Sequence, residues 1–183
     1  MSEPGGRASQ GTQREPGRRA SPQAWAWRRE PVDGGPAVAF DIDGVLADAA
    51  ARQHLLDPGG AGRRDWDAFF QAAGEDEVIE EVARLTGLLD PDLALVLLTA
   101  RPVRIRDLTL AWLGRHGLRW DLLVMRSARD FSSSPEMKRS AVRDLQAAGF
   151  DLRLAFEDDR RNVEMFHAEG VPCIYIHSGY YEA

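Results

Sequence analysis

Five short runs of the chain are almost wholly apolar: residues 37–42, 93–98, 122–125, 152–156 and 173–176. Each has the length of a β-strand, and the segments between most of them carry helical spacing. In 76–89 the apolar positions are Val78, Ile79, Val82, Leu85, Leu88 and Leu89, which line one face of a helix. Helices are predicted over 102–116, 135–148 and 160–169 as well, each followed by a glycine that can end it. Strands apolar on both sides and alternating with helices must be covered on both sides. The pattern therefore predicts an α/β domain, a parallel sheet with helices on both faces.

Such sheets place their chemistry at the carboxyl ends of the strands. The first run ends in Asp41-Ile-Asp43-Gly44, and residues two apart on an extended chain face the same way. Two carboxylates brought together need a cation, a shared proton or strong hydrogen bonds. The same residues also read as an acidic turn, since Asp-Gly is a common turn pair. The second run ends in Thr99-Ala-Arg101-Pro102 and the fourth in Glu157-Asp158-Asp159. Taken singly, Thr99 could cap a helix, Arg101 could lie on the surface, and Asp158-Asp159 could be an N-cap. Together, and in this order at strand ends, they argue for one site.

Carboxylate oxygens suit Mg²⁺, which binds one or two protein carboxylates and fills its shell with water and substrate phosphate. Asp41 and Asp158 are candidate ligands, with Asp159 a further ligand or a support behind them. An ionised Asp41 could attack phosphorus, and Asp43 could protonate the leaving oxygen and then activate water. Thr99 and Arg101 would hold phosphate oxygens. Of 23 basic residues only Lys138 is a lysine, and at the start of a predicted helix it could bridge nucleophile and phosphate.

These motifs resemble those of the haloacid dehalogenase (HAD) superfamily of phosphatases. Phe40-Asp-Ile-Asp-Gly-Val45 is similar to the first motif, Leu98-Thr-Ala-Arg101 to the second, Lys138 to the third and Glu157-Asp-Asp159 to the fourth. The resemblance covers about residues 37–180. It implies a Rossmann-like sheet with a small cap, Mg²⁺ as cofactor, Asp41 as nucleophile and Asp43 as acid/base. The implied metal ligands are Asp41, Asp158 and the carbonyl of Asp43. A closer likeness is to the 3′-phosphatase domain of phage-type polynucleotide kinase-phosphatase. It rests on Trp112-Leu, Asp121-Leu-Leu-Val-Met-Arg126, Glu136-Met-Lys138, the run from Glu157 to Met165, Gly170-Val-Pro-Cys173 and Ser178-Gly179. It implies removal of a 3′-phosphate from a nucleic-acid end, with Arg126 as a phosphate or strand contact. Ser132-Ser-Ser134 departs from the more charged loop expected there. The sequence has no Gly-x-x-x-x-Gly-Lys-Ser/Thr run, so no kinase half is expected within this chain; the resemblance leaves room for a separate kinase or ligase partner.

Residues 1–36 hold eleven Pro or Gly and six Arg against four acids, and are expected to form a disordered tail. Trp25 and Trp27 are expected to tack its end onto the domain at 37–183. The body carries 17 basic and 25 acidic residues, which argues against broad coating of nucleic acid but not against gripping a strand end. No apolar run reaches the roughly 20 residues of a membrane span, and no signal peptide is evident, so a cytoplasmic protein is expected. Cys173 is expected to be a small buried side chain. His54, His116, His167 and His177 have no ligand spacing.

Residues 44–98 separate Asp43 from Thr99, and most are needed for a turn and helix, leaving a lid of about 48–74 that contains a loop at 57–62. So small a lid leaves an open site, suited to a polymer end or phosphoprotein. Trp66, Phe69 and Phe70 could stack on a base, though such clusters more often form a lid's own core. A small nucleotide or sugar phosphate is the alternative substrate, and a non-catalytic binding module the alternative role.

Overall fold

The computed structural model describes residues 24–56 and 64–181. Its main sheet has six strands: β1 (Trp25–Trp27), β2 (Gly35–Phe40), β5 (Ala94–Pro102), β6 (Leu122–Arg126), β7 (Phe150–Glu157) and β8 (Cys173–Tyr175). Their order across the sheet is β1-β6-β5-β2-β7-β8. All pairings among the last five are parallel, and β1 lies antiparallel to β6 at one edge. From β2 the chain builds outward through β5 and β6, then returns to the other side of β2 for β7 and β8. The order thus reverses at β2, and a crevice opens beyond the strand that carries Asp41.

Alternation along the strands divides the core in two. Val38, Phe40, Leu95, Leu97, Leu123 and Met125 face one way, onto Trp112 and Leu113 of α3 (Arg106–Arg115) and Val82 of α2 (Glu80–Leu88). Ala37, Ala39, Val96, Leu98, Leu122 and Val124 face the other way. They meet Met137, Val142 and Leu145 of α4 (Ser134–Ala147), and Met165 and Phe166 of α5 (Arg160–Ala168). Phe40 stacks on Phe156 across the β2–β7 pair, with centroids 4.5 Å apart.

The tail boundary at 36 is corrected. Residues 25–27 are a strand of the main sheet, and β2 begins at Gly35. Trp27 stacks on Phe150 at 6.2 Å and Trp25 meets the same ring edge-on, so the two indoles cover the second core face. The predicted disorder of the earlier part of the tail lies outside the described residues, as does the predicted loop at 57–62.

The small unit between Asp43 and Thr99 is bracketed by β3 (Ala47–Asp48) and β4 (Glu77–Val78), which pair antiparallel. Between them lie a 3-10 segment (Ala50–Leu56), the short helix α1 (Trp66–Gln71) and another 3-10 turn (Ala72–Glu75). The helix predicted to start at 76 starts at Glu80 instead, because Glu77 and Val78 are drawn into this ribbon. The helix predicted from Pro102 begins at Arg106, since β5 stays extended through Pro102 and one 3-10 turn intervenes.

Candidate active site

Asp41 directly follows β2. One carboxylate oxygen accepts the backbone N–H of Ile42 at 2.7 Å, and the other meets Lys138 Nζ at 2.9 Å. Lys138 arrives from α4, whose first turn is set by a capping box between Ser133 and Glu136, with Pro135 in that turn. Its ammonium is fully buried and lies 2.6 Å from Glu157 Oε2. Glu157 in turn accepts from Asn162 Nδ2 at 3.0 Å and from the backbone N–H of Asp159 at 3.2 Å. Burial alone would discharge Lys138, but Asp41 and Glu157 outweigh it and hold the ammonium charged.

One ammonium does not balance this corner. Carboxylate oxygens of Asp41, Glu157 and Asp158 lie within 4.8 Å of one another. Burial, then Glu157, pushes Asp158 up to about 7. Asp41 is also raised well above the carboxylate range, by burial first and by its acidic neighbours after the offset from Lys138. Both Asp158 oxygens are buried, with the Ser178 hydroxyl beside them and no other hydrogen-bond donor among the described residues. Gly44 makes this approach possible: a Cβ there would lie 1.9 Å from Asp158 Oδ2, and its φ of +81° suits only glycine. An oxygen-rich corner with unspent acceptors fits a hard divalent cation held by Asp41 and Asp158.

Asp43 lies in a second cluster, which the sequence reading only half found. Arg101 donates to it through Nε at 3.0 Å and Nη2 at 2.6 Å, and Arg52 through Nη2 at 2.5 Å. Both guanidiniums also bind Asp76: Arg52 Nε at 2.8 Å and Arg101 Nη2 at 3.0 Å. Burial would raise Asp43, but Arg101 and Arg52 overcome it and bring the carboxyl down to about 2. Trp112 Nε1 donates to the Asp76 carbonyl at 2.8 Å, and Phe69 packs 4.0 Å from the Arg52 guanidinium. Arg52 and Asp76 were missed because nothing local marks them. One lies in a stretch without periodicity, and the other looks like the acid that opens a helix.

The remaining predicted residues divide. Thr99 is fully buried, and its hydroxyl accepts the Arg101 N–H at 3.1 Å inside the strand rather than capping a helix. Arg101 is buried on the Asp43–Asp76 pair, with only Nη1 lacking a partner among the described residues. Arg126 is a tether: Nε reaches the Ala100 carbonyl at 3.3 Å, Nη1 the Ser132 carbonyl at 2.8 Å, and Asp130 lies 3.6 Å away. It closes the loop before α4. The Asp159 carboxylate caps α5 through the Arg161 N–H and pairs with that side chain at 2.7 Å, outside the three-carboxylate corner. Phe69 is buried under the lid, with Trp66 and Phe70 stacked beside it.

The family model for the polynucleotide kinase PNKP phosphatase domain matches residues 35–181. The chain belongs to this family. Phosphatase chemistry on a HAD-like fold is thus the coarse description of the PNKP-type domain. Among solved structures, a chain of the Pnkp1/Rnl/Hen1 complex is 21% identical with a TM-score of 0.65, over 83% of this chain and 48% of that one. The class C acid phosphatase of Bacillus anthracis, with tungstate bound, is 17% identical with a TM-score of 0.59, over 82% and 69%. A phosphoglycolate phosphatase described as putative, from Lactobacillus plantarum, is 17% identical with a TM-score of 0.51, over 78% and 86%. At such identities these structures show a shared fold. The chain spans about half the length of its Pnkp1/Rnl/Hen1 counterpart. No curated protein matches the sequence. No helix among the described residues is long and apolar enough to cross a membrane.

Proposed function

We propose that the domain removes 3′-phosphates from nucleic-acid ends by way of an aspartyl-phosphate on Asp41, with Mg²⁺ as cofactor. The observation that carries the reading is the convergence of Asp41, Lys138 and the buried Asp158 within a domain of the PNKP phosphatase family. Asp41 and Asp158 would hold the metal, which supplies a positive centre for phosphate oxygens and for the attacking carboxylate. The Asp43 carbonyl is the expected further ligand; Asp159, spent on its helix cap, supports the corner from behind.

Asp41 attacks phosphorus as its bond to the 3′-oxygen breaks. Lys138 offsets charge on Asp41 and on the phosphoryl group. Asp43 is held as a carboxylate by two guanidiniums, the form that takes a proton from water when the acyl phosphate is hydrolysed. To donate a proton to the leaving oxygen first, it must leave Arg101 and Arg52 and take up a proton from solvent. Arg101, with Nη1 unspent, is then free to turn to phosphate. Thr99 supports that arginine from the strand.

A lid this short leaves room for a polymer end, in keeping with the family. The related chain of the Pnkp1/Rnl/Hen1 RNA repair complex works in an assembly, and a separate kinase or ligase partner is proposed here on the same ground. The test is Mg²⁺-dependent phosphate release from a 3′-phosphorylated oligonucleotide, beside a 5′-phosphorylated one, mononucleotides and sugar phosphates. Preference for the 3′-end is expected, with Asp41→Asn inactive and folded. Preference for a small phosphate would discard the nucleic-acid substrate and keep the chemistry. No release even from an aryl phosphate would discard the enzyme.

A further inference from the structure

After β8 the chain turns back across the site. The Ile176 N–H donates to the Glu157 carbonyl at 2.8 Å, and a Cβ on Gly44 would lie 3.1 Å from Ser178 Cβ, so Ser178 sits above the turn that follows Asp43. Next to it, the Tyr180 N–H reaches Ser178 Oγ at 3.3 Å, and its phenol donates to Asp48 of the lid ribbon at 2.5 Å. The segment is thus fixed to the strand end, to the catalytic turn and to the lid. Tyr181, the following residue, cannot swing far.

The residue is nevertheless 53% exposed. The Arg161 guanidinium lies 5.9 Å from the ring, on the first turn of α5, with a side chain largely open to solvent. Arg160 beside it covers Tyr175 at 5.0 Å. Ser178, three residues earlier, sits on the Gly44 turn beside Asp158, and the Arg161 that neighbours the ring is paired with Asp159, so Tyr181 stands beside the carboxylate corner. A half-exposed aromatic residue tied into this segment, with Arg160 nearby and Arg161 held on Asp159 but open on its outer side, has the chemistry that stacks a nucleobase beside a cationic edge.

We propose that Tyr181 is a specificity-determining residue: its ring stacks on the base of the terminal nucleotide whose phosphate is presented to Asp41. This rests on the nucleic-acid reading of the site. Stacking needs the ring and not the hydroxyl, so Tyr181→Phe and Tyr181→Ala separate the two. The experiment compares KM and kcat for a 3′-phosphorylated oligonucleotide and for the same oligonucleotide abasic at its last position. Wild type and Tyr181→Phe are expected to bind the intact end about tenfold better than the abasic one. In Tyr181→Ala that ratio is expected to fall to about one, through KM rather than kcat.

An unchanged ratio in Tyr181→Ala overturns the inference and leaves 3′-end hydrolysis standing. A loss in kcat shared equally by both substrates also overturns it, as the mark of a structural role. Failure of the wild type to hydrolyse either oligonucleotide while cleaving small phosphates removes the underlying reading, and the inference with it.

Discussion

Two guanidiniums and two carboxylates share a space from which water is largely excluded. Arg52 and Arg101 are 2% and 0% exposed at their side chains, and Asp76 is equally hidden. Removing one member of a buried set costs far more than an exposed ion pair contributes, because its partners stay buried without compensation. Arg52→Ala is therefore expected to lower stability by about 3 kcal/mol in urea unfolding. Arg52→Lys should not restore it, since one ammonium cannot reproduce the fork that binds Asp76 while also reaching Asp43. A loss below about 0.5 kcal/mol, typical of surface pairs, would show that the cluster is solvated. This quartet is also where the sequence was least legible. Asp43 and Arg101 stand in recognisable motifs, whereas Arg52 and Asp76 are brought to them by the lid's path alone. Their roles depend on tertiary proximity, which no local pattern encodes.

Cys173 gives a residue-scale prediction that depends on pH. Burial, then the nearby Glu157, pushes its thiol up to about 12, above the roughly 8.5 of an unfolded chain. The fold thus favours the protonated thiol. Its stabilising share is fully present below about pH 8.5 and is lost as pH rises through about 12. Thiolate is the reactive form, so at pH 8 a disulfide reagent should label native protein at least tenfold more slowly than protein in urea. Equal rates in the two states would contradict this environment for the thiol. The expected burial is met only in part, because β8 is an edge strand and leaves the sulfur half-covered.

Among the elements, the helices of the parallel core were legible by their period and its strands as continuous apolar runs. β1 was not. Three residues carry no readable alternation, and Trp25 and Trp27 sit among prolines, glycines and arginines whose composition signals disorder. What makes the strand is its partner: Trp25, Ala26 and Trp27 pair with Val124, Leu123 and Leu122, about a hundred residues away. Paired there, the indoles close a core face that would otherwise leave Phe150 in water. Trp27→Ala should consequently cost about 2 kcal/mol, less than the 3–5 of a fully buried Trp because this one is half-covered. Chemical unfolding of that variant provides the check. A change within about 0.5 kcal/mol would mean that β1 contributes nothing to the sheet. Turnover should survive, since β1 lies at the far edge, separated from β2 by β6 and β5.

The whole molecule sets a limit on how it can hold a polyanion. Its formal net charge is −6, and beyond residue 36 acids outnumber bases by eight. Many of the arginines in the described body are already committed. Arg52 and Arg101 hold the lid cluster, Arg119 binds carbonyls at the end of α2, and Arg139 and Arg143 hold Glu169. Arg160 and the solvent-open side of Arg161, itself paired with Asp159, remain beside the site as a short cationic edge. A protein that neutralises six to ten phosphates loses about 10³–10⁵ in affinity between 50 and 200 mM salt. With two such contacts the same law gives a single-strand slope of about −1.4, hence a loss of only about sevenfold, and general repulsion from the acidic body is screened over the same range. KM for a 3′-phosphorylated oligonucleotide is thus expected to rise by about tenfold or less from 50 to 200 mM NaCl. It should also be nearly independent of strand length beyond the terminal few nucleotides. A steep salt slope that grows with length would mean that an extended basic track binds the strand, and the picture of an enzyme that meets its substrate only at the end would fail.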